Sequence, residues 1–78
     1  MAISSKIKAL LQLSGKDNTG LASYLGISSQ ALSNKFYRDS FSAADLIKIA
    51  DYTECPLTFL SKDGNKISFD ISDIKKDS

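Results

Sequence analysis

One group of side chains in this 78-residue sequence has the spacing of a recognition surface. Ser29, Gln30, Ser33, Asn34 and Tyr37 stand at i, i+1, i+4, i+5 and i+8, so a helix brings them onto one continuous face. All of these side chains form hydrogen bonds and none is charged, whereas a face that is merely solvated usually carries Lys and Glu. The spacing alone leaves two interpretations open, a solvated face and a face that binds a partner through hydrogen bonds.

The residue types that most enzymes use for catalysis are missing. The chain has no His and a single Cys, which excludes a His general base, a Ser-His-Asp triad and a zinc site built from several Cys and His ligands. Asp45 is interpreted as a helix cap and Asp63 as a turn residue, not as catalytic acids. We therefore expect no enzymatic activity, no metal, no cofactor and no small-molecule effector.

The length and the charge distribution of the chain limit its domain organisation. Its 78 residues, 42% hydrophobic and 24% charged, predict one globular domain with no room for an effector domain. Residues 1–38 carry five cations and one acid, whereas residues 39–78 carry five cations and eight acids, so net charges of +4 and −3 fall on the two parts. Only the first part is suited to face a polyanion.

Targeting signals are not apparent in the sequence. Lys6 and Lys8 interrupt the stretch that a signal peptide would need, and nothing approaches the ~20 apolar residues of a membrane span. Cys55 has no partner for an internal disulfide, which fits a reducing compartment. We expect a soluble, cytoplasmic protein.

Helical spacing of apolar residues predicts four short helices before Pro56. Their predicted ranges are 3–13, 18–25, 28–37 and 43–53. Gly26 can end the second helix in the left-handed conformation, and Ser28 is a suitable N-cap for the third. The clearest start signal belongs to the fourth helix, where Ser42 and Asp45 form a capping box.

After Pro56 the apolar period changes to two, which predicts a hairpin over about 57–71. A three-residue loop ending at Gly64 opposes Phe59 to Ile67 and makes one face wholly apolar, so we predict it over a two-residue turn. A lone hairpin is marginal in water, so this face must be covered by the helices or by a second subunit. The candidate dimer contacts are Leu57, Phe59, Leu60, Ile67 and Phe69.

Residues 18–37 have the pattern of two short helices joined by a tight turn. Ala22 is small where the helices cross, Gly26 makes the turn and Ile27 fills the space beneath it. This is the helix-turn-helix layout, in which the second helix enters the DNA major groove. We predict a mainly α fold of four short helices, with a helix-turn-helix at 18–37 and a C-terminal β-hairpin, in one domain spanning 1–78.

Several short motifs occur together in the sequence: Leu21-Ala22, Leu25-Gly26-Ile27-Ser28, Leu32-Ser33 and, in the next helix, Leu46 and Ile49-Ala50. Over about residues 4–53 they resemble the Cro/repressor-type (XRE) helix-turn-helix family of phages and bacteria, which has the lambda-repressor-like fold. The stretch from Leu32 to Phe41 is similar to short members common in Gram-positive bacteria and their mobile elements. The chain departs from the family at Lys35, a position that is often apolar, and in having a hairpin where a fifth helix is common.

The resemblance implies a sequence-specific, DNA-binding transcription regulator, a repressor like Cro, that reads the major groove with helix 28–37. Base contacts are implied for Ser28, Ser29, Gln30, Ser33 and Asn34. The side-chain amides of Gln30 and Asn34 can each bond N6 and N7 of one adenine together. Phosphate contacts are implied for Lys16, Asn18, Thr19, Lys35, Tyr37, Arg38 and Ser40. The partner would be a double-stranded DNA operator. Two alternatives stay open for the assembly: a homodimer on two half-sites, or a monomer in which the apolar face of the hairpin packs on the first and fourth helices.

A second interpretation assigns the same fold to a protein that binds another protein and not DNA. The near-neutral net charge of +1 and the few lysines available for phosphate also fit a protein-interaction module, such as an antitoxin or antirepressor. The salt dependence of binding separates the two, because phosphate contacts make affinity fall steeply with salt.

Overall fold

The computed structural model describes residues 2–74, in which four helices precede a two-stranded hairpin. The helices are α1 (Ile3–Ser14), α2 (Asn18–Leu25), α3 (Ser29–Arg38) and α4 (Ala43–Thr53). The strands β1 (Leu57–Leu60) and β2 (Lys66–Phe69) pair antiparallel, and a short 3-10 helix follows at Ile71–Asp73. The predicted mainly α fold with a C-terminal hairpin is confirmed. Of the predicted domain 1–78, residues 1 and 75–78 lie outside the described residues.

Side-chain caps explain where the helices begin. The Asp17 carboxylate accepts from the Gly20 N–H at 2.8 Å at the start of α2, and the Ser28 hydroxyl accepts from the Ala31 N–H at 3.0 Å at the start of α3. Both halves of the predicted capping box of Ser42 and Asp45 form at α4, each at 3.0 Å. The predicted starts of α2, α3 and α4 agree with the structure to within one residue, because each depends on a cap between residues only three positions apart.

All four helices contribute to one core. Its buried members are Ile7, Leu11, Leu21, Ala22, Leu32 and Ile49. Leu25 and Ile27 pack against this cluster and stay partly exposed, as does Leu46. Ile47 is buried outside this cluster, in a groove that α4 forms with Phe69.

The hairpin has the predicted register. Leu57 lies opposite Phe69 and Phe59 opposite Ile67, and Gly64 at the end of the loop has a φ of 89°. The strand ends at Phe69 and not at residue 71, because the chain turns into the 3-10 helix that the Asp70 side chain caps. No helix within residues 2–74 combines the length and hydropathy needed to span a bilayer.

The apolar face of the hairpin is covered only at its base. Leu57 and Phe69, beside α4, are half-buried, whereas Phe59 and Ile67 toward the loop are 67% and 62% exposed. The Phe59 and Phe69 rings meet edge-to-face with centroids 5.6 Å apart. The helices therefore cover one end of this face and leave the other end open.

Candidate nucleic-acid interface

The polar face of α3 is open to solvent. Ser29, Gln30, Ser33 and Asn34 are exposed, and Tyr37 is 89% exposed. The opposite side of the helix carries Leu32, which is buried in the core. The predicted hydrogen-bonding face thus forms one accessible surface, held in place by burial of the other side.

Ser28 differs from the other residues predicted to contact bases. Its hydroxyl already accepts the Ala31 N–H as the N-cap of α3. A hydroxyl retains its own hydrogen when it accepts, so this side chain can still donate to a partner. Its first role in the fold is to begin the helix.

Residues predicted to contact phosphate gather where α1, α2 and α3 meet. One cleft is lined by Lys8, Asn18, Ser33, Phe36 and Tyr37. A neighbouring cleft between α1 and α2 is lined by Lys8, Leu11, Gln12, Lys16, Asp17, Asn18 and Thr19. The fold therefore brings Lys16, Asn18 and Thr19 together, and it joins Asn18 to the base-contact side through Ser33. Arg38 and Ser40 are exposed at the C-terminal end of α3.

The Lys35 side chain forms an ion pair with α4. Its Nζ lies 2.9 Å from Oδ2 of Asp45 on α4, and the pair is partly buried. Partial burial raises the pKa of Asp45, but the hydrogen bond from Lys35 and the Ser42 N–H bring that pKa below its usual value. The unusual Lys at this position is therefore paired with Asp45, which links α3 to α4.

A comparison with known families covers most of the chain. Residues 3–66 match the bacteriophage CI repressor helix-turn-helix domain. The chain belongs to this family. The match confirms the resemblance to Cro/repressor-type proteins and supports a DNA-binding domain of the repressor type. No curated protein and no solved structure matches the chain.

The C-terminal end of α3 in this CI-family domain is tied to the first turn of α1. The Asp39 carboxylate accepts from the Ser4 N–H at 2.6 Å, from the Ile3 N–H at 3.2 Å and from the Ser4 hydroxyl at 2.7 Å. These hydrogen bonds, those from Ser4 first, lower the pKa of Asp39. Asp39 itself has a φ of 56° and ends α3. One residue thus caps two helices and fixes the end of the polar face.

Sequence reasoning missed this long-range cap, although one signal pointed to it. Ala2 precedes α1 and has no side chain that can accept a hydrogen bond. The first N–H groups of a helix need acceptors, so a helix without a local cap must find one elsewhere. The acceptor comes from a residue 35 positions away from Ser4, beyond the range of any local pattern.

A cluster of aromatic side chains holds α2 of the CI-family domain against α4. The Tyr24 hydroxyl donates to the Asp51 carboxylate, which raises the pKa of Tyr24, and the Tyr24 and Tyr52 rings lie 5.2 Å apart. A Cβ at Gly20 would overlap the Tyr52 hydroxyl, so the first turn of α2 approaches α4 closely. Lys16 Nζ lies 5.2 Å from the centre of the Tyr52 ring. The cluster therefore holds Lys16 beside the start of α2.

Proposed function

We propose that this domain binds a double-stranded DNA operator in a sequence-specific manner and represses transcription by occupying it. One observation carries the proposal: α3 presents an exposed, uncharged face of amides and hydroxyls in a domain of the CI repressor family. Amides and hydroxyls discriminate between bases, because each base pair has its own pattern of donors and acceptors in the major groove. The proposal includes no enzymatic step, cofactor or small-molecule effector, and it implies a cytoplasmic location.

The amides of α3 are assigned to base contacts. Gln30 and Asn34 lie one turn apart on the exposed side of the helix. Each amide can donate to N7 and accept from the N6 amino group of one adenine at the same time, and a good bidentate pair contributes about 1–3 kcal/mol of discrimination. Ser29 and Ser33 stand beside them, and the Ser28 hydroxyl, which already accepts the Ala31 N–H, can still donate its hydrogen to a base.

The surrounding residues are assigned to the DNA backbone. Asn18 and Thr19 at the start of α2 are exposed, and Lys16 stands close to them. At the other end of the polar face, Tyr37, Arg38 and Ser40 are exposed. Such contacts position the protein on DNA without reading its sequence. Lys35 would contact phosphate only at the expense of its pair with Asp45.

A homodimer completes the proposal. A single module contacts few bases, and two half-sites about one DNA turn, roughly 34 Å, apart supply the remaining contacts. The open end of the apolar face supports this assembly, since Phe59 and Ile67 are each more than 60% exposed. Leu60, also a candidate from the sequence, is exposed on the opposite face of the hairpin and lies outside this surface. A second copy would cover the apolar surface that the helices leave free.

The test is selection of random duplex DNA on the purified protein, followed by affinity measurements at two salt concentrations. Recovery of a short motif, with binding that weakens as salt rises, is the expected result. Gln30→Ala and Asn34→Ala should relax the sequence preference, whereas Arg38→Ala should weaken all duplexes alike. Absence of enrichment at low salt would contradict the proposal and favour a protein partner.

A further inference from the structure

Lys8 of α1 lies at the junction of the two clefts beside the polar face of α3. The first cleft combines Lys8 with Asn18 of α2 and with Ser33, Phe36 and Tyr37 of α3. The second combines it with Lys16 and the start of α2. Lys8 and Asn18 line both clefts. The fold thus joins Lys8 to residues of the proposed interface.

The Lys8 side chain is directed toward α3. Its Nζ lies 5.4 Å from the centre of the Phe36 ring, within the range of a cation–π interaction. Among the described residues that line the first cleft, Lys8 alone carries a charge. The ring holds the ammonium group near the polar face, so binding an anion there costs less side-chain entropy than it would for a freely moving lysine.

The first cleft has the chemistry of a site for one phosphodiester group. It offers a cationic ammonium from Lys8, an amide from Asn18 and hydroxyls from Ser33 and Tyr37. Every one of these side chains can donate a hydrogen bond, and a backbone phosphate presents a single negative charge with acceptor oxygens. Lys6 on the same helix is also exposed but lines neither cleft.

We propose that Lys8 binds a phosphate of the DNA backbone in this cleft, together with Asn18 and Tyr37. The inference rests on the proposed function and adds a contact from α1 to an interface otherwise formed by α2, α3 and the residues next to their ends. A phosphate held between three helices fixes the rotation of α3 in the major groove. Lys8 is accordingly a positioning residue that contacts the DNA backbone and reads no base.

The experiment compares Lys8→Gln with Lys6→Gln, a matched loss of charge on the same helix. Binding of the full chain is measured on the selected operator duplex and on a random duplex of equal length, over a series of salt concentrations. The slope of log K against log salt is negative, and loss of one phosphate contact should reduce its magnitude by about 0.9. The loss of affinity for each tenfold rise in salt is then about eightfold smaller. Lys8→Gln should show this change on both duplexes, and Lys6→Gln should keep the wild-type slope.

The outcomes separate this inference from the proposed function. If the wild-type chain prefers an operator but Lys8→Gln and Lys6→Gln have the same slope, the phosphate contact is wrong and the proposed function stands. If the wild-type chain prefers no duplex, the proposed function is wrong. Binding of a random duplex with a slope that Lys8→Gln lowers would then still support the phosphate contact, and absence of binding would overturn it as well.

A second variant separates charge from packing. Lys8 contacts the Phe36 ring, so its loss could act through the position of α3. Lys8→Arg keeps the positive charge and the interaction with the ring, and we expect it to retain the wild-type slope. A slope as low as that of Lys8→Gln would overturn the proposal, provided that thermal unfolding shows the variant to be folded.

Discussion

The four helices and the hairpin differ in how far they bury their apolar side chains. Leu21, Leu32 and Ile49 from three of the helices are almost fully buried, so the helical body forms its own core. The hairpin leaves Phe59 and Ile67 mostly exposed on the face that would otherwise be its core. The helical body therefore buries most of its large apolar side chains itself, whereas the hairpin requires a neighbour to bury its apolar surface.

The two regions also present different chemistry to a partner. The helical body offers the uncharged polar face of α3 with cations at its edges, which fits a nucleic acid. The hairpin offers aromatic and aliphatic side chains, which fit another protein surface. The proposed DNA binding and the proposed self-association would therefore occupy distinct surfaces of one small chain.

A large-to-small substitution in each region should show the largest difference between them, in the free energy of unfolding. Leu32→Ala removes a side chain that is 2% exposed and should lower the free energy of unfolding by about 2–5 kcal/mol, through lost contacts and a cavity. Ile67→Ala removes one that is 62% exposed and should cost less than about 1 kcal/mol. Urea denaturation of dilute protein, followed by circular dichroism, measures both. Equal costs would contradict the difference between the regions.

A charge on the open face of the hairpin tests its proposed role in self-association. Ile67→Lys should raise the dissociation constant of the dimer by at least about tenfold, because the ammonium would be buried without a partner. Sedimentation equilibrium at micromolar concentrations measures this change. Thr58→Lys is the control, since Thr58 lies on the opposite face, where its hydroxyl is 2.9 Å from that of Ser68. A wild-type chain that stays monomeric would rule out this interface at these concentrations.

The smallest expected effect concerns the cap that joins α1 to α3. The pKa of Asp39 is lowered in the folded chain, so its carboxylate stabilises the fold above the unfolded pKa of about 3.9. That contribution is lost as pH falls through the lower, folded pKa. Asp39→Asn should therefore reduce stability at pH 7 and match the wild type more closely in acid. Thermal unfolding from pH 7 down to acid pH checks this.

A control and a contrary outcome complete that experiment. Asp63→Asn in the exposed hairpin loop removes a charge outside the cap, and we expect its difference from the wild type to be small at every pH. An Asp39→Asn variant that is as stable as the wild type at pH 7 would show that the negative charge of the cap contributes nothing to the fold, since the Asn oxygen can still accept hydrogen bonds. A difference from the wild type that stays constant as the pH is lowered would show that its effect does not depend on the carboxylate charge.

Local signals predicted much of the architecture. The capping box at Ser42 and Asp45 and the N-cap at Ser28 involve atoms only three residues apart, so the chain needs no tertiary fold to specify them. The register of the hairpin follows from one turn and from an apolar alternation that a slip of one residue would reverse. The polar face of α3 could be identified for the same reason, because helical geometry alone aligns its members.

The hydrogen bonds and ion pairs between helices could not be read in this way. Lys35 could be seen as unusual, but its pairing with Asp45 depends on how α4 crosses α3. The cap from Asp39 to Ser4 and the placement of Lys8 on Phe36 likewise join helices that are distant in sequence. Which side chains become partners depends on the angles at which the helices pack, and no short segment of sequence determines those angles.

The sequence alone thus determined the four helices, the hairpin register and the residues of the polar face. Each depends on periodicity, caps or turns within a few positions. Only the tertiary structure decided that Lys8 joins the proposed interface, that Lys35 is held by α4 and that half of the hairpin face stays open. Those outcomes depend on burial and on distances between side chains, which are defined only when the helices pack around their common core.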